Sequence, residues 1–267
     1  MNLVVMKFGG VSLESSHAIQ RVCALIKQKR QECAHIIVVV SAMGAMTDDL
    51  LQFARTFNPQ PPKREEDMLV SAGERISASI LSIALAAHGI DGVSLTGSQA
   101  GVITSHHHSC AWIQSVKPVR IPPLLEQGRV VVVAGFQGVS EKKDVTTLGR
   151  GGSDTTAVAL GVALKASKVE FYKDVGGVYT EDPNLVPEAF ILPHLTYDEA
   201  LAIYGRARCS VIHPRALVLA KSNALPLHVL SFQKENLAKN PKGSWIVEDG
   251  QKRPLEAIYE DGILCQY

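Results

Sequence analysis

Four short stretches of this 267-residue chain carry residue types able to hold and move a charged group. Lys7-Phe8-Gly9-Gly10 closes an apolar run. Glycines at a strand-to-helix turn let backbone N–H groups approach a phosphate, and a lysine at the strand end adds a full charge. The same four residues also make an ordinary tight turn with a snorkelling lysine. Gly149-Arg150-Gly151-Gly152-Ser153-Asp154 runs into a helical start at 155–160, with Ser153 or Asp154 as its N-cap. An arginine set among glycines offers a planar fork to a carboxylate, which a plain structural loop rarely needs. Glu74 stands in the apolar helical segment 70–75 beside Gly73, a residue that weakens a helix and so points to close approach of a ligand or another backbone. Ser41 to Gly44 and Thr47 follow a second apolar run and place hydroxyls and a glycine at a strand end, the edge where open α/β sheets bind ligands.

Other chemistries find less support. No Gly-x-x-x-x-Gly-Lys-Ser/Thr occurs, so the first glycine turn is not a P-loop. Ser12, Ser41 and Ser71 lie outside any Gly-x-Ser-x-Gly, which removes the signature of a serine-hydrolase elbow. His106-His107-His108 reads as a solvated loop rather than a metal site, because adjacent residues point different ways and no acidic residue lies close in sequence.

The elements that must position these groups are legible as apolar runs. Segments 3–8, 36–40, 130–136 and 169–172 are continuous and β-branched, as expected of strands buried on both faces of a parallel sheet. Ala72, Ile76, Ile80, Ile83 and Ala87 keep helical spacing, with Gly89 as the stop. A helix is expected to begin near Ser12 or Glu14, and Thr196-Tyr197-Asp198-Glu199 is a capping box that opens another. Segment 59–66 reads as an exposed loop, and 245–247 and 255–259 as the last strands. Strands alternating with helices give an α/β fold with helices on both faces of the sheet.

Lys and Arg total 27 against 26 Asp and Glu, which argues against a nucleic-acid or anionic-membrane surface. The five cysteines form no Cys-x-x-Cys, and their odd number suits a reducing cytoplasm. No leader pattern opens the sequence, and its apolar stretches fall short of the ~20 residues of a spanning helix. The expectation is a soluble cytoplasmic protein.

Taken in order, seven segments resemble the aspartokinases of the amino acid kinase family: KFGG at 7–10, VVVSAMGAMT at 38–47, VSAGERIS at 70–77, VVVAGFQGV at 131–139, TTLGRGGSDTTAVAL at 146–160, KDVGGVYTEDP at 173–183 and IHPRAL at 212–217. The resemblance implies a three-layer αβα sandwich with a mainly parallel central sheet. It also implies phosphorylation of the β-carboxylate of L-aspartate by ATP with Mg2+, the first step toward lysine, threonine, methionine or diaminopimelate. By resemblance, residues 1–247 form the catalytic domain, with substrate over the N-terminal half and nucleotide over the C-terminal half. Residues 248–267 resemble the start of a regulatory ACT module. Feedback by lysine or threonine is then expected to be weak, and a homodimer is the assembly to test. The alternatives are another small-molecule kinase on this fold, or a non-catalytic subunit that retains it.

Position by position, Lys7, Gly9 and Gly10 resemble the γ-phosphate contacts, and Asp154 the catalytic aspartate. Glu74 resembles the ligand of the substrate amino group and Arg150 the clamp on its carboxylate, with Ser41, Thr47, Gly151 and Ser153 seating the substrate. Lys173, Asp174, Tyr179, Asp182 and Pro183 resemble the nucleotide segment. A carboxylate nucleophile is already ionised at neutral pH, so Asp154 is expected to orient Lys7 rather than take a proton. Three departures stand out: Val11 and Lys173 replace the family's usual threonines, and Ser210 its usual lysine. Arg206, Arg208 and Lys173 are the candidate replacements for that missing phosphate contact.

Overall fold

The computed structural model describes residues 2–183, 185–206, 211–233, 242–248 and 253–260. Twelve strands lie among them: β1 (Leu3–Phe8), β2 (His35–Val40), β3 (Gly92–Leu95), β4 (Val102–Thr104), β5 (Ile113–Val116), β6 (Val130–Ala134), β7 (Gln137–Ser140), β8 (Val145–Thr147), β9 (Lys168–Lys173), β10 (His194–Leu195), β11 (Leu227–Ser231) and β12 (Ser244–Ile246). The helices are α1 (Ser16–Lys29), α2 (Met46–Phe57), α3 (Lys63–Val70), α4 (Ala72–Ala87), α5 (Ile121–Glu126), α6 (Gly152–Ala163), α7 (Tyr197–Arg206) and α8 (Pro214–Ser222).

The four apolar runs of the sequence are β1, β2, β6 and β9. They form the centre of an eight-stranded sheet ordered β10-β12-β11-β9-β1-β2-β6-β3, whose pairs are parallel except β11 with β12. The two-residue period of a strand splits the core into two layers. Val4, Met6 and Phe8 of β1 pack with α1 and α4, whereas Leu3 and Val5 pack with α5, α6 and α8. The architecture is the three-layer αβα sandwich with a mainly parallel sheet. Lys7 shares the face of Leu3 and Val5, so the same alternation aims it at α6.

A smaller four-stranded sheet, β5-β4-β7-β8, was not legible in the sequence; its strands are three or four residues long and mix polar with apolar side chains.

Several local expectations need correction. A short 3-10 turn occupies Gly10–Leu13, and α1 starts only at Ser16, capped by the Ser15 hydroxyl. The 59–66 segment is loop only to Pro62, after which α3 begins. Residues 255–259 form no strand; they lie against the body, with Asn223 bonded to Ile258 on both sides of its amide. The helix α4 does not bury its regularly spaced isoleucines. Gly73, Glu74, Ser77, Ala78, Leu81 and Leu85 face inward, while Ile76, Ile80 and Ile83 are 42%, 36% and 71% exposed. Its apolar residues nearly encircle it, so periodicity alone cannot choose a face. Gly73 chooses: a Cβ there would come within 2.8 Å of the Ala42 Cβ, so only this rotation seats the helix against the β2 loop.

The continuous run Lys63–Ala87 is 25 residues and apolar enough, by length and composition, to cross a membrane, contrary to the expectation from the sequence. It is instead packed into the fold, with Glu66, Asp67 and Glu74 buried against partners. The capping box holds: Thr196 and Glu199 exchange hydrogen bonds of 2.7 and 3.2 Å at the start of α7.

Candidate active site

The C-terminal ends of β1, β2, β6 and β9 lie along one edge of the parallel sheet, and each carries a predicted site segment. Backbone contacts knit the loops together. Ser41 N–H donates to the Phe8 carbonyl at 3.1 Å, and Gly44 N–H donates to that of Gly10, also at 3.1 Å. At Gly10 a Cβ would meet the Ala42 carbonyl at 2.7 Å, so glycine is required for the two loops to touch. Ser41 and Thr47 are half-buried beside this junction.

Opposite them, α6 points its N-terminus at the edge. Its N-cap is Gly151, not Ser153 or Asp154, because the backbone there is left-handed, with φ at 70°. The His213 ring fills the space a Cβ would need. Ser153 and Asp154 consequently occupy the first helical turn, where the helix dipole favours an acid. Close contact of Gly135 with Ser153, and a 3.1 Å bond from Phe136 N–H to the Thr156 hydroxyl, fasten this turn to the end of β6.

Two buried carboxylates dominate the electrostatics. Asp154 lies 2.7 Å from Lys7 Nζ and 3.6 Å from Lys173 Nζ, and accepts the His213 N–H at 3.3 Å. Burial pushes its carboxyl up, but Lys173 and Lys7 more than offset this and hold it at about 2. Burial in turn depresses Lys173 to about 8, against the pull of Asp154. Glu74 has a different setting. Its Oε1 accepts Ala42 N–H at 3.0 Å, while its Oε2 is buried without a hydrogen-bond partner. Burial raises its carboxyl to about 7, despite the Ala42 bond and the nearby Lys7 charge. Arg75 does not pair with it and bonds Gln137 instead.

The structure brings Lys7, Gly9, Gly10, Ser41, Thr47, Glu74, Ser153 and Asp154 to this edge, with Arg150 exposed on the loop before α6. Beyond β9 a cleft of about 360 Å3 is lined by Lys173, Asp174, Tyr179, Asp182 and Pro183 together with Tyr204 and Leu217. The predicted nucleotide segment thus lines one cavity. Arg208 and Ser210 lie outside the described residues, as does the side chain of Arg206.

Sequence reasoning missed the work of His213. It caps α8, packs under Gly151 and bonds Asp154. The signal was available, since Pro214 at the first helical position marks His213 as a cap. The histidine run is a loop with His106 and His107 exposed, as expected, but His108 has an acidic partner. His108 Nδ1 lies 2.7 Å from the fully buried Asp67, which also accepts Ser109 N–H and the Thr147 hydroxyl. That acid is 41 residues away in sequence, so local inspection could not find it.

Residues 2–231 match the amino acid kinase family. The chain belongs to that family. An aspartokinase of Geobacillus stearothermophilus is 44% identical over 93% of this chain and 60% of its own length. The aspartate kinase structure from Synechocystis superposes with a TM-score of 0.80 at 41% identity, covering 96% of this chain and 42% of that one. A UMP kinase from Bacillus anthracis, 17% identical with a TM-score of 0.65 over 95% of this chain and 98% of its own, shares the fold alone. The chain therefore spans about 60% of the length of such curated aspartokinases.

Proposed function

We propose that this chain transfers the γ-phosphoryl group of ATP to the side-chain carboxylate of L-aspartate, giving 4-phospho-L-aspartate and ADP. The observation that carries the reading is Glu74: a buried acceptor with one free oxygen, at the sheet edge that also holds Lys7. Only a substrate with both an ammonium and carboxylates uses all of these at once. Glu74 takes the ammonium, Arg150 one carboxylate, and Ser41, Thr47 and Ser153 seat the body of the amino acid. A uridylate acceptor, as the fold neighbour's name suggests, has no ammonium and would leave Glu74 buried and unpaired.

The acceptor oxygen forms a bond to the γ-phosphorus as the bond to the ADP oxygen breaks, and no proton moves. The barrier is repulsion between two anions, so Lys7 and the N–H groups of Gly9 and Gly10 stabilise the transferring group. Asp154 holds Lys7 in place as a positioning group. Lys173, Asp174, Tyr179, Asp182 and Pro183 hold the nucleotide. Magnesium fits as an ion carried by the nucleotide phosphates, where it neutralises charge. Among the described residues no three His, Cys, Asp or Glu side chains gather to hold it.

On this reading residues 1–247 are the catalytic unit and 248–267 lead out of it, acting in the cytoplasm in amino-acid biosynthesis. A homodimer accounts for the exposed Phe53 and Phe57 of α2 and Ile80 and Ile83 of α4, and Ile83→Lys should shift the sedimentation coefficient to that of a monomer. The activity test is a hydroxylamine trap of acyl phosphate with ATP, magnesium and a panel of acids. Hydroxamate should form with aspartate; formation only with another acid would sink the assignment.

A further inference from the structure

Arg215 and Glu260 form a buried ion pair that the proposed reaction does not use. They are 4% and 5% exposed. Arg215 Nε reaches Glu260 Oε1 at 2.8 Å and Nη2 reaches Oε2 at 3.0 Å, a two-pronged contact. Well-packed apolar side chains usually serve stability at least as well as such a pair, so its presence calls for a positional reason.

The remaining bonds supply one. Arg215 Nη1 donates to the carbonyl of Leu148, the residue just before Gly149 and Arg150. Its Nη2 also donates to the Ala111 carbonyl at 3.0 Å, and Ser109 two residues earlier presents its carbonyl to Gly149. One guanidinium thus ties together both loops that frame Arg150. Glu260 fixes the guanidinium, and is itself fixed on β5: its Oε2 accepts Ile113 N–H at 2.8 Å and its own N–H donates to the Ile113 carbonyl at 3.2 Å. Two residues before Arg215, His213 packs on Gly151 and bonds Asp154. A residue 106 positions after Asp154 is therefore built into the support of the reacting edge.

We propose that Glu260 is a positioning residue for phosphoryl transfer, acting through Arg215 on the loop that carries Arg150. The proposal rests on the aspartate reading above. Residues 253–260 then serve the catalytic unit, and displacement of this segment weakens the grip on the substrate carboxylate. The nucleotide cleft is lined mainly by Lys173, the loop after it and α7. It meets the Arg215 region only through Val211, Ile212 and Leu217, none of which bonds Arg215, so it is little affected.

The variant Glu260→Gln keeps shape and removes the charge. It should raise the KM for aspartate about tenfold and leave that for ATP within about twofold, since a lost carboxylate clamp is worth about that factor. A purely structural role would instead reduce the active fraction, lowering kcat with both KM values unchanged. Should the single variant fold poorly, Arg215→Met with Glu260→Leu restores an apolar core and still removes the ties to Leu148 and Ala111. That double variant should be folded and show the same rise in the KM for aspartate; wild-type kinetics in it would overturn the proposal. Trp112, adjacent to Ala111 and stacked on His107 at 4.5 Å, gives a readout independent of substrate. In a Trp245→Phe background, Glu260→Gln should change Trp112 emission, and an unchanged spectrum would also overturn the proposal. A wild-type chain that makes no hydroxamate from aspartate refutes the substrate reading, and Trp112 then decides the positioning claim alone.

Discussion

Asp154 and Glu74 are both buried carboxylates at one sheet edge, yet the protein treats them in opposite ways. Asp154 is matched by two lysines and one backbone N–H, which keep it ionised far below neutrality. Glu74 has one backbone donor and an unpartnered oxygen, and titrates at about 7. The first has its countercharges in place before any ligand arrives, its Oδ1 held by the ion pair with Lys7 rather than by a well-directed hydrogen bond. The second has no ion-paired cation among the described residues. A completed carboxylate positions other groups, whereas an incomplete one binds. The difference lies in the number of donors within reach, since burial penalises both.

Removing the partner of the completed site should have the largest effect. Lys7→Ala takes away the charge that faces the moving phosphoryl group, so kcat should fall by ~10²–10³. Near-normal turnover in single-turnover kinetics would reassign this lysine to structure. Glu74→Gln should come next. It keeps the bond to Ala42 but cannot pair an ammonium, so the KM for aspartate should rise roughly tenfold to a hundredfold with kcat less affected.

That same change should stabilise the fold. The raised folded-state value of Glu74 means the native state binds the proton more tightly than the unfolded chain. Its ionisation therefore costs stability progressively from pH ~4.5 upward, reaching about 3 kcal/mol above pH 7. Denaturant midpoints at pH 8 should favour Glu74→Gln, and the advantage should vanish near pH 4.5. For Asp154 the sign reverses. Its contribution is full above pH ~3.8 and is lost as pH falls toward 2.

How much of this was readable in the sequence depended on whether the cause was local. The central strands β1, β2, β6 and β9 were legible because burial on both faces writes a continuous apolar run. The glycines at 10, 73 and 151 were legible as points of close approach, though not what approaches them: Ala42 for the first two, His213 for the last. The face of α4 was not legible, since its apolar residues run nearly all the way round. Nor was the small sheet, or the pairing of Asp67 with His108 and of Arg215 with Glu260, because those partners meet only across the fold. Lys7 with Asp154 is the intermediate case: the resemblance led to the expectation that Asp154 orients Lys7, and strand parity explains why the side chains face each other.

Lys173 sharpens the comparison with a smaller effect. It shares Asp154 with Lys7 and opens onto the cleft proposed for the nucleotide. Lys173→Ala should raise the KM for ATP roughly tenfold and that for aspartate little; a change under about twofold would assign the phosphate contact elsewhere.

The last prediction sets the two halves of the site against each other with pH alone. On the proposed reading the aspartate ammonium pairs with ionised Glu74, so the KM for aspartate should climb as pH falls below about 7. On the same reading the ATP phosphates pair with charged Lys173, so the KM for ATP should climb as pH rises past about 8. If neutral Lys173 binds ATP about tenfold more weakly, one pH unit above its titration point raises the KM by only about fivefold, because a tenth of the sites remain charged. Each limb belongs to one residue and one substrate. Glu74→Gln should flatten the acidic limb for aspartate and leave the alkaline limb for ATP, and Lys173→Ala should do the reverse. If both substrates shared both limbs, the protons would be acting on the fold as a whole rather than on two separate binding groups. The contrast between a completed and an incomplete carboxylate would then lose its functional meaning.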